Sequence, residues 1–312
     1  MKIHIVAFLI GFLVALAAFG QAEETITLKT ETGDIEGTLT MPEAKMPVPV
    51  ALIIAGSGPT DRDGNNPMMK NNSLKMLSAE LGKKGIASLR YDKRGIAKSQ
   101  QAGVKEADLR FENYIQDAVS WVQLLKENKN FSSIIVIGHS EGSLIGMVAS
   151  QNRLVGKFVS IAGAGQAADL IIREQLKAQP QFILDQSTPI LDELVKGNRV
   201  ENVPQMLFSL FRPSVQPYMI SWFKYDPQVE IAKLKKPTLI VQGTTDIQVS
   251  IEDAKRLHTA KPDAKLVVIE GMNHIFKNVE ADRTNNIQTY NQPDLPVNIE
   301  LVEAISSFVM IK

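Results

Sequence analysis

The sequence predicts an α/β protein with a mostly parallel sheet that is covered by helices on both faces. Short apolar runs alternate with amphipathic helical patterns through most of the 312 residues. Strand–helix alternation is typical of a parallel sheet, and continuous apolar runs are typical of strands buried on both faces. A chain of this length can form one large domain of this class.

The first predicted element is a β-hairpin. Residues 25–41 alternate polar and apolar side chains around Thr32-Gly33-Asp34, which predicts two antiparallel strands joined by a turn. Later strands are predicted from short apolar runs at 48–55, 86–91, 134–137, 158–162, 238–242 and 265–270. Helices are predicted from apolar residues three and four apart at 73–83, 111–127, from Glu141 onward, at 251–260 and at 298–310.

The alternation of strands and helices stops near Gly165 and resumes at Thr238. Between them, residues 166–226 have helical spacing that is broken by prolines, which predicts an inserted lid of short helices over the sheet. We therefore predict one domain over residues 23–312 with a helical lid at about 166–226. The apolar lid residues are expected to form a small core of their own or to line a ligand pocket: Phe182, Leu184, Met206, Phe208, Phe211, Trp222 and Phe223.

Composition excludes several classes of function. Lys plus Arg and Asp plus Glu both number 34, so the formal net charge is zero and provides no bulk attraction to nucleic acid. The chain has no cysteine, which excludes disulfides, thiolate metal sites and a lipid attached to cysteine. The expected partner is a small molecule without strong charge.

The N-terminus has the pattern of a secretory signal peptide at 1–22. Lys2 precedes an unbroken apolar run at 5–19, and small residues at 18–20 are followed by polar Gln21. The run is short for a spanning helix. We expect export to the periplasm or the medium, with no stable membrane anchor after cleavage; an uncleaved anchor is the alternative.

A candidate nucleophile follows the apolar run at 134–137. Gly138-His139-Ser140-Glu141-Gly142 fits the pattern G-x-S-x-G between a predicted strand and a predicted helix. In that context the pattern forms a sharp turn that exposes the serine hydroxyl above the sheet. The alternative is a turn with only a structural role, but the strand–turn–helix context favours a catalytic Ser140.

A serine nucleophile needs a base, and the chain has four histidines. His4 belongs to the predicted signal peptide, and the side chain of His139, directly beside the serine, is expected to point elsewhere. His258 lies near a helix end, where a capping or solvated role is expected. His274 follows the last predicted strand, at the carboxyl end of the sheet, and is the predicted base.

The base needs a carboxylate to fix its tautomer. Asp246 directly follows the apolar run at 238–242, whereas Asp253 falls inside the next helix and Asp226 precedes a proline. We therefore predict Asp246. Two backbone N–H groups should stabilise the oxyanion: that of Glu141, directly after the serine, and that of Ser57 in the glycine loop after residue 55, with Gly58 as the alternative.

These motifs resemble the α/β-hydrolase superfamily over nearly the whole chain. More narrowly, they resemble bacterial serine carboxylesterases with a GSGP-DRDG loop, here residues 56–64, beside a GHSEG turn. Residues 91–99 match the last nine positions of a further superfamily segment, R-x-D-x-R-G-x-G-x-S, except that Ala97 replaces a glycine. The resemblance implies ester hydrolysis through an acyl-enzyme, a helical lid and no cofactor or metal.

Charged residues near the glycine loop have two interpretations. Asp61, Arg62 and Asp63 could orient a polar group of a substrate, or they could form an ion-paired turn that fixes the loop. We favour the ion-paired turn, and we expect Asp92 and Arg94 to have structural roles as well.

The favoured function is a serine carboxylesterase that acts on short- to medium-chain acyl esters. The alternatives are a serine peptidase or acyltransferase that uses Ser140, Asp246 and His274 in the same way, and a catalytically silent binding protein with this fold. Three intact candidate residues argue against the silent protein.

Overall fold

The chain forms one eight-stranded sheet in a computed structural model that describes residues 21–311. The strands in spatial order are β1-β2-β4-β3-β5-β6-β7-β8. Their bounds are β1 Ala22–Thr30, β2 Gly33–Met41, β3 Val48–Ile54, β4 Ala87–Tyr91, β5 Phe131–His139, β6 Val155–Ile161, β7 Thr238–Gly243 and β8 Lys265–Ile269.

Most of the sheet is parallel, as predicted. Strands β1 and β2 form an antiparallel hairpin, and β2 is antiparallel to β4. Every other neighbouring pair is parallel. The hairpin turn lies at Glu31 and Thr32, slightly earlier than the sequence predicts, because Gly33 already pairs with Thr30.

The helices described between residues 21 and 311 alternate with the strands. Their bounds are α1 Ser73–Lys83, α2 Phe111–Glu127, α3 Glu141–Ala149, α4 Ala168–Leu176, α5 Gln181–Val195, α6 Phe208–Phe211, α7 Gln216–Trp222, α8 Pro227–Ala232, α9 Ile251–Ala260, α10 Arg283–Thr289 and α11 Ile299–Met310. Helix α10 was not predicted, because its sequence RTNNIQT has almost no apolar periodicity.

A separate hydrophobic core lies on each face of the sheet. One core contains Trp121 of α2, Ile145 of α3 and Leu257 of α9, all inaccessible to solvent. The other contains Leu77 of α1 and Ile305 of α11. Continuous apolar strands are therefore covered on both sides, as expected for a parallel sheet.

The block from 166 to 226 contributes α4 to α7 between β6 and β7. These helices share a small core that includes Leu191 and Phe211, both inaccessible to solvent. Three of the aromatic and thioether side chains in the block remain exposed instead: Phe182, Met206 and Phe208. The block therefore has its own core and presents part of its apolar surface outward.

The charged residues near the glycine loop form an ion-paired turn. Arg62 donates to a carboxylate oxygen of Asp92 at 2.7 Å, and Asp63 pairs with the buried Arg90. Arg94 pairs with Asp117 of α2. The pairs of Arg62 and Asp63 fix the loop after β3, whereas the pair of Arg94 joins the loop after β4 to α2. Asp61 forms no ion pair among the described residues and instead accepts from the backbone N–H groups of Asp63 and Asn65.

Within residues 21–311, no helix is long and apolar enough to cross a membrane. The predicted signal peptide lies almost entirely at residues 1–20, outside the described residues.

Candidate active site

Ser140 lies in a strained turn between β5 and α3. Its backbone has φ 55° and ψ −122°, in a region that residues with a side chain rarely adopt. The turn is fixed on both sides, because the Ser140 N–H donates to the carbonyl of Ile161 and the Ser140 carbonyl accepts from Ser143. Such strain is concentrated at functional sites.

The two glycines of the motif are required by close packing. A Cβ atom on Gly138 would lie 2.2 Å from the carbonyl oxygen of Gly142. A Cβ atom on Gly142 would lie 2.4 Å from the carbonyl oxygen of Ile54 in β3. Any side chain at either position would therefore displace the turn that presents Ser140.

His274 lies in the loop after β8 and is almost fully buried, with 4% of its surface exposed. Its Nδ1 lies 2.8 Å from Oδ2 of Asp246, which lies in the loop after β7. Because Asp246 accepts at this position, Nδ1 carries the proton and Nε2 is left as the basic nitrogen. His274 and Ser140 line the same pocket.

The Asp246 carboxylate accepts four hydrogen bonds. Oδ2 accepts from His274 and from Gln242 Nε2, and Oδ1 accepts from the backbone N–H groups of Gln248 and Val249. Burial alone would raise the pKa of this carboxyl, but the His274 ring and the hydrogen bonds outweigh burial and hold the pKa below its usual value. Asp246 is therefore ionised at neutral pH.

His139 has a position that the sequence did not reveal. Its Nε2 donates to the backbone carbonyl of His274 at 2.9 Å, and the two rings are 4.7 Å apart. Burial and the neighbouring His274 lower the pKa of His139 to about 3, so the ring is neutral. The His139 side chain therefore points toward His274 and holds the backbone of that residue in place.

The predicted oxyanion donors belong to two segments that meet at Ser140. Gly56 packs so closely that an added Cβ would lie 3.2 Å from the Cβ of Ser140, so the loop that carries Ser57 lies against the nucleophile turn. Ser57 and Glu141 both line a pocket with Ser140. Among the residues described, neither backbone N–H of this pair has a hydrogen-bond acceptor.

A buried network connects both oxyanion segments to helix α7. Lys93 is 1% exposed and donates to the carbonyl of Gly56 at 2.6 Å and to Oε2 of Glu141 at 3.3 Å. The hydroxyl of Tyr218 in α7 donates to Oε1 of Glu141 at 2.6 Å. Each carboxylate oxygen of Glu141 therefore accepts one hydrogen bond, and the bond from Tyr218 links the inserted block to the turn at Ser140.

Two pockets meet at Ser140, and Ser57 and Gln248 line both of them. The first, which we call the apolar pocket, has a volume of about 160 Å³ and extends under α4 and α7. Its apolar lining residues are Leu144, Ala164, Ala168, Ile171, Ile172, Trp222, Pro227 and Val249.

The second, which we call the polar pocket, has a volume of about 130 Å³ and extends over the loop after β3 toward α10. Its walls carry hydroxyl and amide groups, contributed chiefly by Thr60, Asn66, Asn71, Ser73 and Tyr290. His274 also lines this pocket.

The residues considered as alternatives to Asp246 and His274 lie in or beside helices α8 and α9. Asp253 forms a capping box with Ser250 at the start of α9, and Asp226 caps α8. His258 lies in the last turn of α9, in the helical region where a structural role was predicted. In the described part of the chain, no three His, Asp or Glu side chains are grouped as a metal site.

The sheet order, the helices on both faces and the strand–turn–helix around Ser140 define the α/β-hydrolase fold. The chain thus belongs to the α/β-hydrolase class of folds. The model of the family described as serine aminopeptidase, S33, matches residues 71–227, half of the chain, and the chain belongs to that family. The matched region includes Ser140 and ends just after the predicted lid.

Similar proteins include several named as esterases. Esterase EstD of Thermotoga maritima is 26% identical over 254 residues, which cover 80% of this chain and 60% of the relative. The chain therefore spans less than two thirds of the length of that relative. The structure of Est1E from Butyrivibrio proteoclasticus with ferulic acid bound aligns with a TM-score of 0.65 at 18% identity, covering 92% of this chain and all of the other. The Pyrococcus furiosus esterase Pf2001 aligns with a TM-score of 0.59 at 17% identity, covering 93% of this chain and 91% of the other. At such identities, the structures support the fold alone.

Proposed function

We propose that the protein is a serine carboxylesterase that hydrolyses short- to medium-chain acyl esters. The observation that carries this proposal is the apolar pocket, which begins at Ser140 and presents no available charge. Ligand pockets are mostly apolar with a few placed polar groups, and drug-sized ligands need at least about 300 Å³. At about 160 Å³, the apolar pocket suits a smaller acyl group. The esterase names of EstD and Est1E agree with this function.

The proposed reaction uses the residues in the roles that their geometry favours. Ser140 Oγ attacks the ester carbonyl while His274 Nε2 takes the hydroxyl proton, and Asp246 stabilises the imidazolium. The N–H groups of Ser57 and Glu141 stabilise the oxyanion. The proton passes to the alkoxide oxygen, the alcohol leaves, and water repeats the steps on the acyl-enzyme to release the acid and restore Ser140.

The family description raises the alternative of aminopeptidase activity. An aminopeptidase must bind the ammonium group of its substrate, for which a carboxylate is the natural partner. Among the residues that line the two pockets, Glu141 is the one acidic side chain. It is only 4% exposed and already binds Lys93 and Tyr218. An ammonium group has no available carboxylate there, so the site favours esters.

Catalytic efficiency on p-nitrophenyl esters is expected to rise with acyl length, to reach a maximum between butyrate and octanoate, and to fall by dodecanoate. Each buried methylene contributes about 0.8 kcal/mol until the apolar pocket is full. The measurement is kcat/KM over the ester series, with leucine p-nitroanilide as the amide substrate. We expect much slower turnover of the amide.

A matched pair of variants tests whether the apolar pocket sets this optimum. Ile171→Ala enlarges the pocket and should move the optimum toward longer acyl chains. Ile299→Ala removes the same atoms from an exposed position at the start of α11 and should leave the profile unchanged. A profile that is flat in acyl length, with the amide cleaved faster than the esters, would favour the peptidase instead.

We also propose that the chain is exported and that its signal peptide is removed. Mass spectrometry of the mature protein should find a first residue at Gln21 or Glu23. Both starts keep the ion pair between Glu23 and the buried Arg90, and a start at Gln21 also keeps the hydrogen bond from its side chain to Ala79. Recovery of the full-length chain from membranes would contradict cleavage and favour an anchor.

A further inference from the structure

Of the two pockets at Ser140, the polar pocket is lined by His274 and the apolar pocket is not. This difference indicates which pocket binds the acyl group of an ester and which binds its alcohol. The inference rests on the proposed ester hydrolysis. In that reaction, the proton that His274 accepts from Ser140 must next pass to the oxygen of the departing alcohol. The alcohol must therefore lie against His274. Since His274 lines the polar pocket and not the apolar one, the alcohol belongs in the polar pocket and the acyl group in the apolar pocket.

The polar pocket has the chemistry of a site for an uncharged ligand. No Asp, Glu, Lys or Arg lines it, so beside its two imidazole rings, His139 and His274, it provides no permanently charged side chain for an ammonium, carboxylate or phosphate group. Its walls carry both donors and acceptors, supplied by hydroxyl and amide side chains. Hydroxyl groups of a ligand both donate and accept, and they match such a lining on both counts.

Several of these polar groups are available for a ligand. Asn71 is buried and its Oδ1 accepts from the Ser73 N–H, but among the described residues its Nδ2 has no acceptor and Ser73 Oγ has no partner. The Tyr290 hydroxyl accepts from Gln248 Nε2 at 2.9 Å, which leaves its own proton for another acceptor. Burial raises the pKa of Tyr290 to about 12, so that proton is retained at neutral pH.

We propose that the substrates are esters of a small aliphatic acid with a neutral polyhydroxy alcohol, such as glycerol or a sugar. The acyl group lies in the apolar pocket under α4 and α7. The alcohol lies in the polar pocket, where its hydroxyl groups bind Asn71, Ser73 and Tyr290. This assignment accounts for the lining residues, which are predominantly aliphatic or aromatic on the side of α4 and α7 and predominantly hydroxyl or amide on the side of His274.

Esters with one acyl group and different alcohols test the assignment. The substrates are 1-butyrylglycerol, 6-O-butyrylglucose, propyl butyrate, which lacks free hydroxyl groups, and butyrylcholine, which is cationic. We expect kcat/KM for one or both polyol esters to exceed that for propyl butyrate by roughly tenfold, the factor that one or two additional hydrogen bonds provide. The better of the two identifies the class of polyol.

Two variants test whether the polar pocket is responsible. Tyr290→Phe removes the hydroxyl whose proton is available to a ligand, and Asn71→Asp keeps the acceptor for the Ser73 N–H while replacing the amide donor. Each should lower the ratio of kcat/KM for the polyol ester to that for propyl butyrate by about three- to tenfold. Tyr225→Phe is the matched control, because its hydroxyl contacts Glu112 outside both pockets, and it should keep the wild-type ratio.

The outcomes separate this assignment from the ester function itself. Equal or faster cleavage of propyl butyrate, a preference for butyrylcholine, or a wild-type ratio in Tyr290→Phe would overturn the assignment while ester hydrolysis stands. If no ester is cleaved at all, the ester function is wrong, and the assignment of the alcohol is wrong with it.

Discussion

The Ser140→Ala variant is expected to fold like the wild type and to lose about four to six orders of magnitude in kcat/KM, because a nucleophile, its base and its carboxylate act as a unit. The hydroxyl of Ser140 makes no capping hydrogen bond at the start of α3, so its removal leaves no N–H group of that helix without its acceptor. The measurements are kcat/KM on p-nitrophenyl butyrate and the melting temperature.

A fluorophosphonate probe provides an independent readout for the same residue. The wild type should be labelled at Ser140, and Ser140→Ala should not be labelled. Ser133→Ala is the matched control, because Ser133 is an exposed serine on the same strand, β5, and its removal should change neither labelling nor activity. Labelling that persists in Ser140→Ala would contradict the assignment, and an unlabelled, inactive wild type would favour the silent binding protein.

The nucleophile turn could be predicted because its determinants are local. A strand, two glycines and a helix follow one another within a few residues of Ser140. Gly138 is required by a contact inside the turn, and Gly142 by the close approach of the turn to β3. The same reasoning applies to α1 and α2, whose bounds agree with the apolar spacing of their sequences. Short-range periodicity was sufficient for these elements.

The positions of His274 and Asp246 could be predicted for a different reason. In a parallel sheet, the loops at the carboxyl ends of the strands lie on the same edge. Residues that directly follow two apolar runs are therefore brought together, although 28 positions separate them along the chain. The fold class alone was enough to predict that these two side chains meet at the carboxyl edge of the sheet.

The remainder of the site depends on contacts that no local pattern encodes. Tyr218 binds Glu141 from 77 positions away, in a block that prolines divide into short helices. Tyr290, directly after α10, lines the polar pocket, and the polar sequence of α10 did not predict a helix. The polarity of that pocket results from long-range packing, and only the structure reveals it.

The Asp246→Asn variant is expected to lower kcat by about 10⁴-fold with a much smaller change in KM. The carboxylate is an acceptor for His274 Nδ1, whereas an amide can turn its NH₂ group toward that nitrogen. The proton of the imidazole then lies on Nε2, which can no longer accept a proton from Ser140. KM should change little, because Asp246 lines neither pocket and lies behind His274.

The size of the loss should be similar at pH 6 and pH 8. The folded-state pKa of Asp246 lies below its ordinary value, so the carboxylate is ionised at both pH values, and its contribution disappears only as the pH falls through that lowered pKa. Asp226→Asn is the matched control: asparagine caps a helix as well as aspartate does, and α8 should keep its cap and the enzyme its activity. Equal losses in the two variants, or a loss in Asp246→Asn that is confined to KM, would mean that Asp246 does not orient His274 for proton transfer.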